Sequence, residues 1–252
     1  MVRRIYSTLF WLFLVGSSIL LFPVAVVIWL VTLPIDPRKR VLHLFTCFWA
    51  SLYSWLNPIW PVRVVGRERL VRDRPTVMVA NHLSLLDILV LFRLFVHFKW
   101  VSKVENFRIP CVGWNMRLNR YIELKRGDRA SVIQMMAACE KTIGEGSSIM
   151  MFPEGTRSAD GHLRAFKPGA FELAKRTRSP IQPVLVQGTA ETLPKRGFVL
   201  QGRHPIEIRV LDPIPPESFE HLSVSELTER VRSLMAKELG EPEENGLEPR
   251  EQ

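Results

Sequence analysis

From Ile5 to Ile35 the chain carries no charged residue. The run FWLFLVGSSILLFPVAVVIWLVTL within it exceeds the ~20 residues needed to cross a bilayer. It is too apolar and too long for a cleaved leader, and no clean small-x-small site follows it, so the pattern predicts a retained anchor. A second uncharged stretch, 41–62, is patterned differently. At helical spacing Leu42, Phe45, Trp49, Leu52 and Leu56 share one face, and His43, Cys47, Ser51 and Ser54 share a smaller, more polar one. This predicts an interfacial or returning helix, with Trp49, Trp55 and Trp60 at headgroup depth. Arg3 and Arg4 precede the first segment and Arg38-Lys39-Arg40 follow it. Two full spans would leave that basic cluster outside, whereas a single span, or a hairpin dipping in near Pro23, keeps the rest on the cytoplasmic face of the cell membrane.

Past Pro61 the pattern changes to short apolar runs separated by amphipathic ones. Strands are predicted at 62–65, 76–80, 120–124, 148–152, 181–187 and 206–211, and helices at 84–97, 129–143, 169–177 and 225–239. Ser223 and Glu226 form a capping box for the last helix and Gly240 stops it. Alternation of this kind predicts an α/β fold, a mixed central sheet flanked by helices, carrying an N-terminal helical membrane-anchoring segment. The chain thus divides into anchoring helices at 1–61, an α/β domain at 62–240 and a polar tail at 241–252, which is expected to be disordered.

Composition sharpens the picture. A net charge of +9 attracts the chain to anionic surfaces, and seven tryptophans with a mean hydropathy of +0.07 point to phospholipid. No aromatic-and-basic strip or helix-turn-helix pattern supports nucleic-acid binding. Cys47, Cys111 and Cys139 have no CxxC spacing, suit a reducing compartment and suggest no metal site.

Two strand-to-loop junctions carry chemistry-bearing residues. After the buried strand TVMVA comes NHLSLLD, residues 81–87, leading into a helix. Ser84 and Asp87 resemble a capping box, with His82 on the turn before it. Positions five apart on one continuous helix point about 140° apart, but a histidine on the turn can fold back onto Asp87. The segment is therefore either a capped helix with a solvated histidine or a His-Asp pair that fixes the imidazole tautomer. The second junction, SSIMMFPEGTRS, ends a strand at Phe152-Pro153 and crowds Glu154, Gly155, Thr156 and Arg157 into one turn. Open α/β sheets bind ligands at that strand end. Lys167 lies beside a helix start, where a phosphate can meet free N–H groups.

Together these segments resemble the glycerolipid acyltransferase family that includes the 1-acylglycerol-3-phosphate acyltransferases. The family motif N-H-x-S-x-x-D is matched in full by Asn81, His82, Ser84 and Asp87, and F-P-E-G-T-R-S by residues 152–158, about 70 residues later. Lys103, Glu105, Pro110, Gly113 and Arg126 fit its second block, with Arg120 in place of the usual strand glycine. IQPVLV around Pro183 fits the fourth, and the resemblance covers roughly residues 60–215.

The resemblance implies a membrane-bound acyltransferase that moves a fatty acyl group from a thioester to the 2-hydroxyl of lysophosphatidic acid, giving phosphatidic acid. It implies His82 as general base, worth about 10²–10⁴ in rate, and Asp87 as the group that holds it. Arg157, Arg126 and Lys103 are then the ligands of the acceptor phosphate, since guanidinium suits phosphate through paired hydrogen bonds. Glu154, Gly155 and Thr156, in the loop that carries Arg157, are implied as substrate-binding residues too. Ser84 caps a helix, while Asn81, Pro153, Lys167 and Pro183 support the site. The substrate hydroxyl is itself the nucleophile, and the chain has no G-x-S-x-G elbow. No cofactor or metal is expected beyond the co-substrate, acyl-CoA or acyl carrier protein; the partners are a phospholipid surface and these substrates. Another lysophospholipid or lyso-aminolipid acceptor, or a non-catalytic lipid-binding relative, are the alternatives.

Overall fold

The computed structural model describes residues 1–195 and 197–241. The polar tail expected to be disordered lies, from residue 242 on, outside the described residues. The chain opens with a single helix, α1 (Val2–Thr32), that runs straight through Pro23. No hairpin forms there. Only 11 % of its most apolar window is buried against the rest of the protein, and it is long and apolar enough to cross a membrane.

The second helix, α2 (Arg40–Trp55), buries its polar face together with Leu42 and Trp49 of the apolar one. His43, Thr46, Cys47, Ser51 and Ser54 are buried, whereas Val41, Leu44, Phe48 and Trp55 are exposed. Its His43 and Thr46 side chains find partners in the protein, whereas the Ser51 hydroxyl has none among the described residues: His43 Nδ1 lies 2.8 Å from Tyr121 Oη, and the Thr46 hydroxyl accepts from Asn115 Nδ2 and Asn119 Nδ2 at 3.1 Å each. Burying such groups is favourable only when they are hydrogen-bonded, which a bilayer does not offer. Of the three tryptophans expected at headgroup depth, Trp49 and Trp60 are core residues and only Trp55 is exposed. Phe10, Leu42, Trp49 and Tyr53 share one apolar cluster with Met78 and Ala80 of the sheet, so the helices before residue 61 build part of the domain's own core.

Among the described residues seven strands form one sheet in the order β1-β7-β6-β2-β5-β3-β4. These are β1 (Val62–Val65), β2 (Val77–Ala80), β3 (Phe98–Lys103), β4 (Ile122–Leu124), β5 (Ser148–Met151), β6 (Ile181–Gln187) and β7 (Ile206–Val210). Only the β6–β7 pairing is antiparallel, so the sheet is mixed. β2 lies at its centre, paired with β5 and β6 and buried at every position, as a strand covered on both faces must be. Its alternation divides the core: Met78 and Ala80 pack toward α1, α2 and α3 (Leu86–Leu91), whereas Val77 and Val79 pack with the other cluster. That cluster holds α5 (Arg129–Gly144), α6 (Gly169–Thr177) and α8 (Val224–Leu239). Two short helices, α4 (Val112–Leu118) and α7 (Thr189–Thr192), complete the fold. Pro183 sits where β6 begins its ladder with β7, its carbonyl accepting from Leu211 N at 3.1 Å.

The capping box of α8 forms as expected, Glu226 N to Ser223 Oγ at 3.2 Å and Ser223 N to Glu226 Oε2 at 2.7 Å, with Gly240 left-handed behind it. The helix expected over 84–97 is broken up. After α3 a 3₁₀ turn covers Phe92–Leu94, Phe95 takes φ +49°, and the chain enters β3. Residues 98–103, hidden at the end of a long apolar run, are needed to bridge β5 and β4.

Candidate active site

The site starts where β2 leaves the sheet. Asn81 exchanges two hydrogen bonds with the β6 backbone, Nδ2 to Val186 O at 2.9 Å and Val186 N to Oδ1 at 2.8 Å, which fixes the exit direction of the chain. The next residue turns back: His82 Nδ1 lies 2.8 Å from Asp87 Oδ2. The same oxygen accepts from the N–H groups of Leu83 and Ser84 at 2.6 and 2.8 Å, and Oδ1 accepts from the Thr189 hydroxyl. Of the two readings open to NHLSLLD, the His-Asp pair is the one that forms. Asp87 is fully buried and already accepts from three donors besides the imidazole, which suits a carboxylate. Nδ1 therefore donates, and the lone pair resides on Nε2, which has no hydrogen bond among the described residues. Phe152 stacks on the imidazole with ring centres 3.9 Å apart, and Trp100 stacks on Phe152.

Ser84 does not form the expected capping box. Asp87 caps the Ser84 N–H, but the Ser84 hydroxyl donates to Leu193 O at 2.6 Å and accepts from Leu86 N at 3.3 Å.

The register of the sheet brings in the second motif. Val79 pairs with Met151, so His82 and Glu154 each lie three residues past a paired position on adjacent parallel strands. Glu154 Oε1 accepts from His82 N at 2.6 Å and Oε2 from Arg164 N at 3.2 Å, while Ser158 N donates to His82 O at 2.7 Å. The loop thus grips both sides of the His82 peptide. Glu154 is buried, and desolvation pushes its pKa up to about 7 against the two N–H groups that favour the charged form. Pro153 is buried and its carbonyl accepts from Lys167 N at 2.9 Å. Gly155 takes φ +70°, and a Cβ there would stand 2.9 Å from Lys167 Cε.

His82 faces a cavity of about 430 Å³. Lys103, Arg126, Gly155 and Lys167 line it, together with Leu85, Leu89, Trp100 and Met116 and with Trp11, Leu14, Trp49 and Tyr53 of α1 and α2. Lys103 is half-exposed and paired with Glu105 at 3.1 Å. Asn81, Ser84, Asp87 and Glu154 stand behind the wall, as supports. Arg157 and Thr156 are half-buried but do not line this cavity, so the cations that the structure brings together with His82 are Lys103, Arg126 and Lys167. Sequence reasoning assigned no role to Thr189, Phe152 or Trp100. Gly188-Thr189 after an apolar run marks a strand end, but nothing local links it to a carboxylate 102 residues away.

A family model described as Acyltransferase matches residues 61–187, half of the 252-residue chain. The chain belongs to the acyltransferase family. Among curated relatives of this acyltransferase is a 1-acyl-sn-glycerol-3-phosphate acyltransferase of Chlamydomonas reinhardtii, 34% identical over 91% of this chain and 67% of the relative. The chloroplastic 1-acyl-sn-glycerol-3-phosphate acyltransferase LPAT1 of Arabidopsis thaliana is 39% identical over 63% of this chain, and the match spans 45% of that relative's length. The crystal structure of the 1-acyl-sn-glycerophosphate acyltransferase PlsC from Thermotoga maritima superimposes with a TM-score of 0.74 at 23% identity, over 98% of this chain and 100% of that one. It shares the fold of the acyltransferase described here.

Proposed function

We propose that this acyltransferase esterifies the 2-hydroxyl of lysophosphatidic acid with a fatty acyl group from a thioester, giving phosphatidic acid. The observation that carries the reading is the His82–Asp87 pair opening on a cavity lined by three cations and by many apolar side chains. The curated relatives named for this reaction support it. As the acceptor oxygen attacks the thioester carbonyl, His82 Nε2 takes its proton, and Asp87 stabilises the imidazolium that forms. Collapse of the tetrahedral intermediate breaks the C–S bond, and the departing thiolate takes the proton back from the imidazolium. Lys103, Arg126 and Lys167 hold the acceptor's phosphate through charge-assisted hydrogen bonds. The apolar walls accommodate hydrocarbon and exclude water, which limits hydrolysis of the thioester.

In this reading α1 anchors the enzyme in the bilayer with the α/β domain on the cytoplasmic face, because the acceptor is a single-chain amphiphile held at the lipid surface. The donor is acyl-CoA or acyl carrier protein, both anionic partners for a basic chain. Membranes containing the full chain, offered labelled lysophosphatidic acid with each donor in turn, test the proposal. Labelled phosphatidic acid formed by the parent and lost in His82→Ala supports it. Acylation of another lysophospholipid with lysophosphatidic acid left untouched would overturn the acceptor assignment.

A further inference from the structure

In the turn that leads into β4, Arg120 is held at φ +56°. Glycine takes that left-handed conformation freely, and a side chain resists it. The strained position delivers a guanidinium to a second cavity, of about 640 Å³, which Arg38, Lys99 and Lys141 also line. Its two acidic wall residues are already matched, Glu123 with Arg117 at 3.6 Å and Glu145 with Lys141 at 3.9 Å. Arg38, Lys99 and Arg120 have no carboxylate within 4.0 Å among the described residues. Lys99 is only 3% exposed, and its ammonium donates to neutral carbonyls alone, Arg38 O at 2.7 Å and Asn119 O at 2.6 Å. Arg38 Nη1 is steered by Gly146 O at 3.3 Å, beside a Gly146 whose Cβ would lie 2.5 Å from that nitrogen.

This cavity shares Tyr121 and Met135 with the wall of the catalytic one, but its cations are different residues and lie away from His82. Lys99 is level with Ile149 and, across β5, with Val77 at the start of β2, whereas His82 lies five residues further along. At ~3.3 Å per residue that is roughly 16 Å, toward opposite ends of the sheet. Its depth relative to lipid follows from α1: the uncharged stretch ends at Ile35, and Arg38 enters the cavity three residues later.

We propose that Arg38, Lys99 and Arg120 form a second anion site that binds the phosphate of an anionic glycerophospholipid headgroup at the membrane surface. Two guanidinium groups supply forked donors to a phosphate, and the lysine supplies a buried point charge behind them. Burial lowers the Lys99 pKa to about 7, and the neighbouring Arg120 and Lys39 add to the effect of burial while Asp36 and Glu145 oppose it; a bound phosphate would restore the ammonium.

The full chain in non-ionic detergent, titrated with short-chain phosphatidylglycerol, short-chain phosphatidylcholine and inorganic phosphate and followed by calorimetry, tests this. Phosphatidylglycerol should bind the parent, and Arg120→Gly and Arg120→Asn should each weaken it by about ten-fold or more. Both replacements tolerate the left-handed backbone, so each should fold at least as well as the parent. Arg126→Gln, on the catalytic cavity, should bind as the parent does. Unchanged binding in both Arg120 variants, or a loss in Arg126→Gln alone, would overturn the site. Inorganic phosphate binding as tightly as the lipid, with the same dependence on Arg120, would overturn the lipid as occupant.

Discussion

Glu154 links the two motifs, and its replacement by glutamine has a computable pH signature. The free carboxyl titrates near 4.5 and the buried one near 7, so folding raises its pKa. Below the lower value both folded and unfolded chains hold the proton and the contribution is constant. Between the two, the unfolded chain releases the proton and the folded chain keeps it, so stability falls as pH rises. Above about 7 both are ionised and the loss is complete. A shift of this size corresponds to about 3 kcal/mol at most. For a chain of this length, that is about 6–12 °C in melting temperature. Glu154→Gln cannot titrate, but its amide nitrogen must face either His82 N or Arg164 N, two donors together. The variant should therefore be the less stable protein at low pH and should lose the slope. Melting temperatures of parent and variant, in the same non-ionic detergent at a series of pH values, isolate the effect because every other titrating group is shared. Parallel curves from acid to neutral pH would refute the argument, as would a parent that gains stability relative to the variant over that range.

Four further outcomes follow from the site. His82→Ala should lower kcat by about 10²-fold or more with membrane association unchanged, measured as labelled phosphatidic acid formed by washed membranes. Thr189→Val removes the hydroxyl donor to Asp87 Oδ1, a hydrogen bond to a charged group worth about 1.5–3 kcal/mol, and should lower kcat by about ten-fold with little change in KM. Arg126→Ala should raise KM for lysophosphatidic acid more than Arg157→Ala does, and the difference should shrink with monoacylglycerol, which has no phosphate; equal effects on both acceptors would remove Arg126 from phosphate binding. High salt should leave the protein on membranes and detergent should release it, because salt screens the +9 charge but does not weaken burial of α1.

What the sequence made legible was local. Asn81, His82 and Asp87 lie within seven residues, and the capping box of α8 within four, so turn and helix geometry alone bring them together. Groups that arrive from a distance left no trace. The Thr189 hydroxyl on Asp87 and the Leu193 carbonyl on Ser84 come from beyond β6, and both decide how the motif is held. Arg157 shows the limit within a motif: its place in F-P-E-G-T-R-S is clear, but the direction of its side chain depends on a turn in which Gly155 is left-handed. The burial of α2 was not legible because the groups that let its polar face go inward, Tyr121 for His43 and Asn115 for Thr46, lie 78 and 69 residues further along the chain.

The link between His82 and Glu154 is of another kind, since 72 residues separate them and neither motif points to the other. Adjacency in a parallel sheet supplies it. With β2 beside β5 and Val79 level with Met151, two loops that leave their strands at the same height must meet above the sheet. The histidine then needs an acceptor for its peptide N–H, and the glutamate is the residue at the matching distance past the paired position. Parallel pairing at this register thus explains why the base and the glutamate each lie three residues beyond a paired strand position. A change that slips β5 against β2 by one residue should therefore disable the site even with every side chain of both motifs intact.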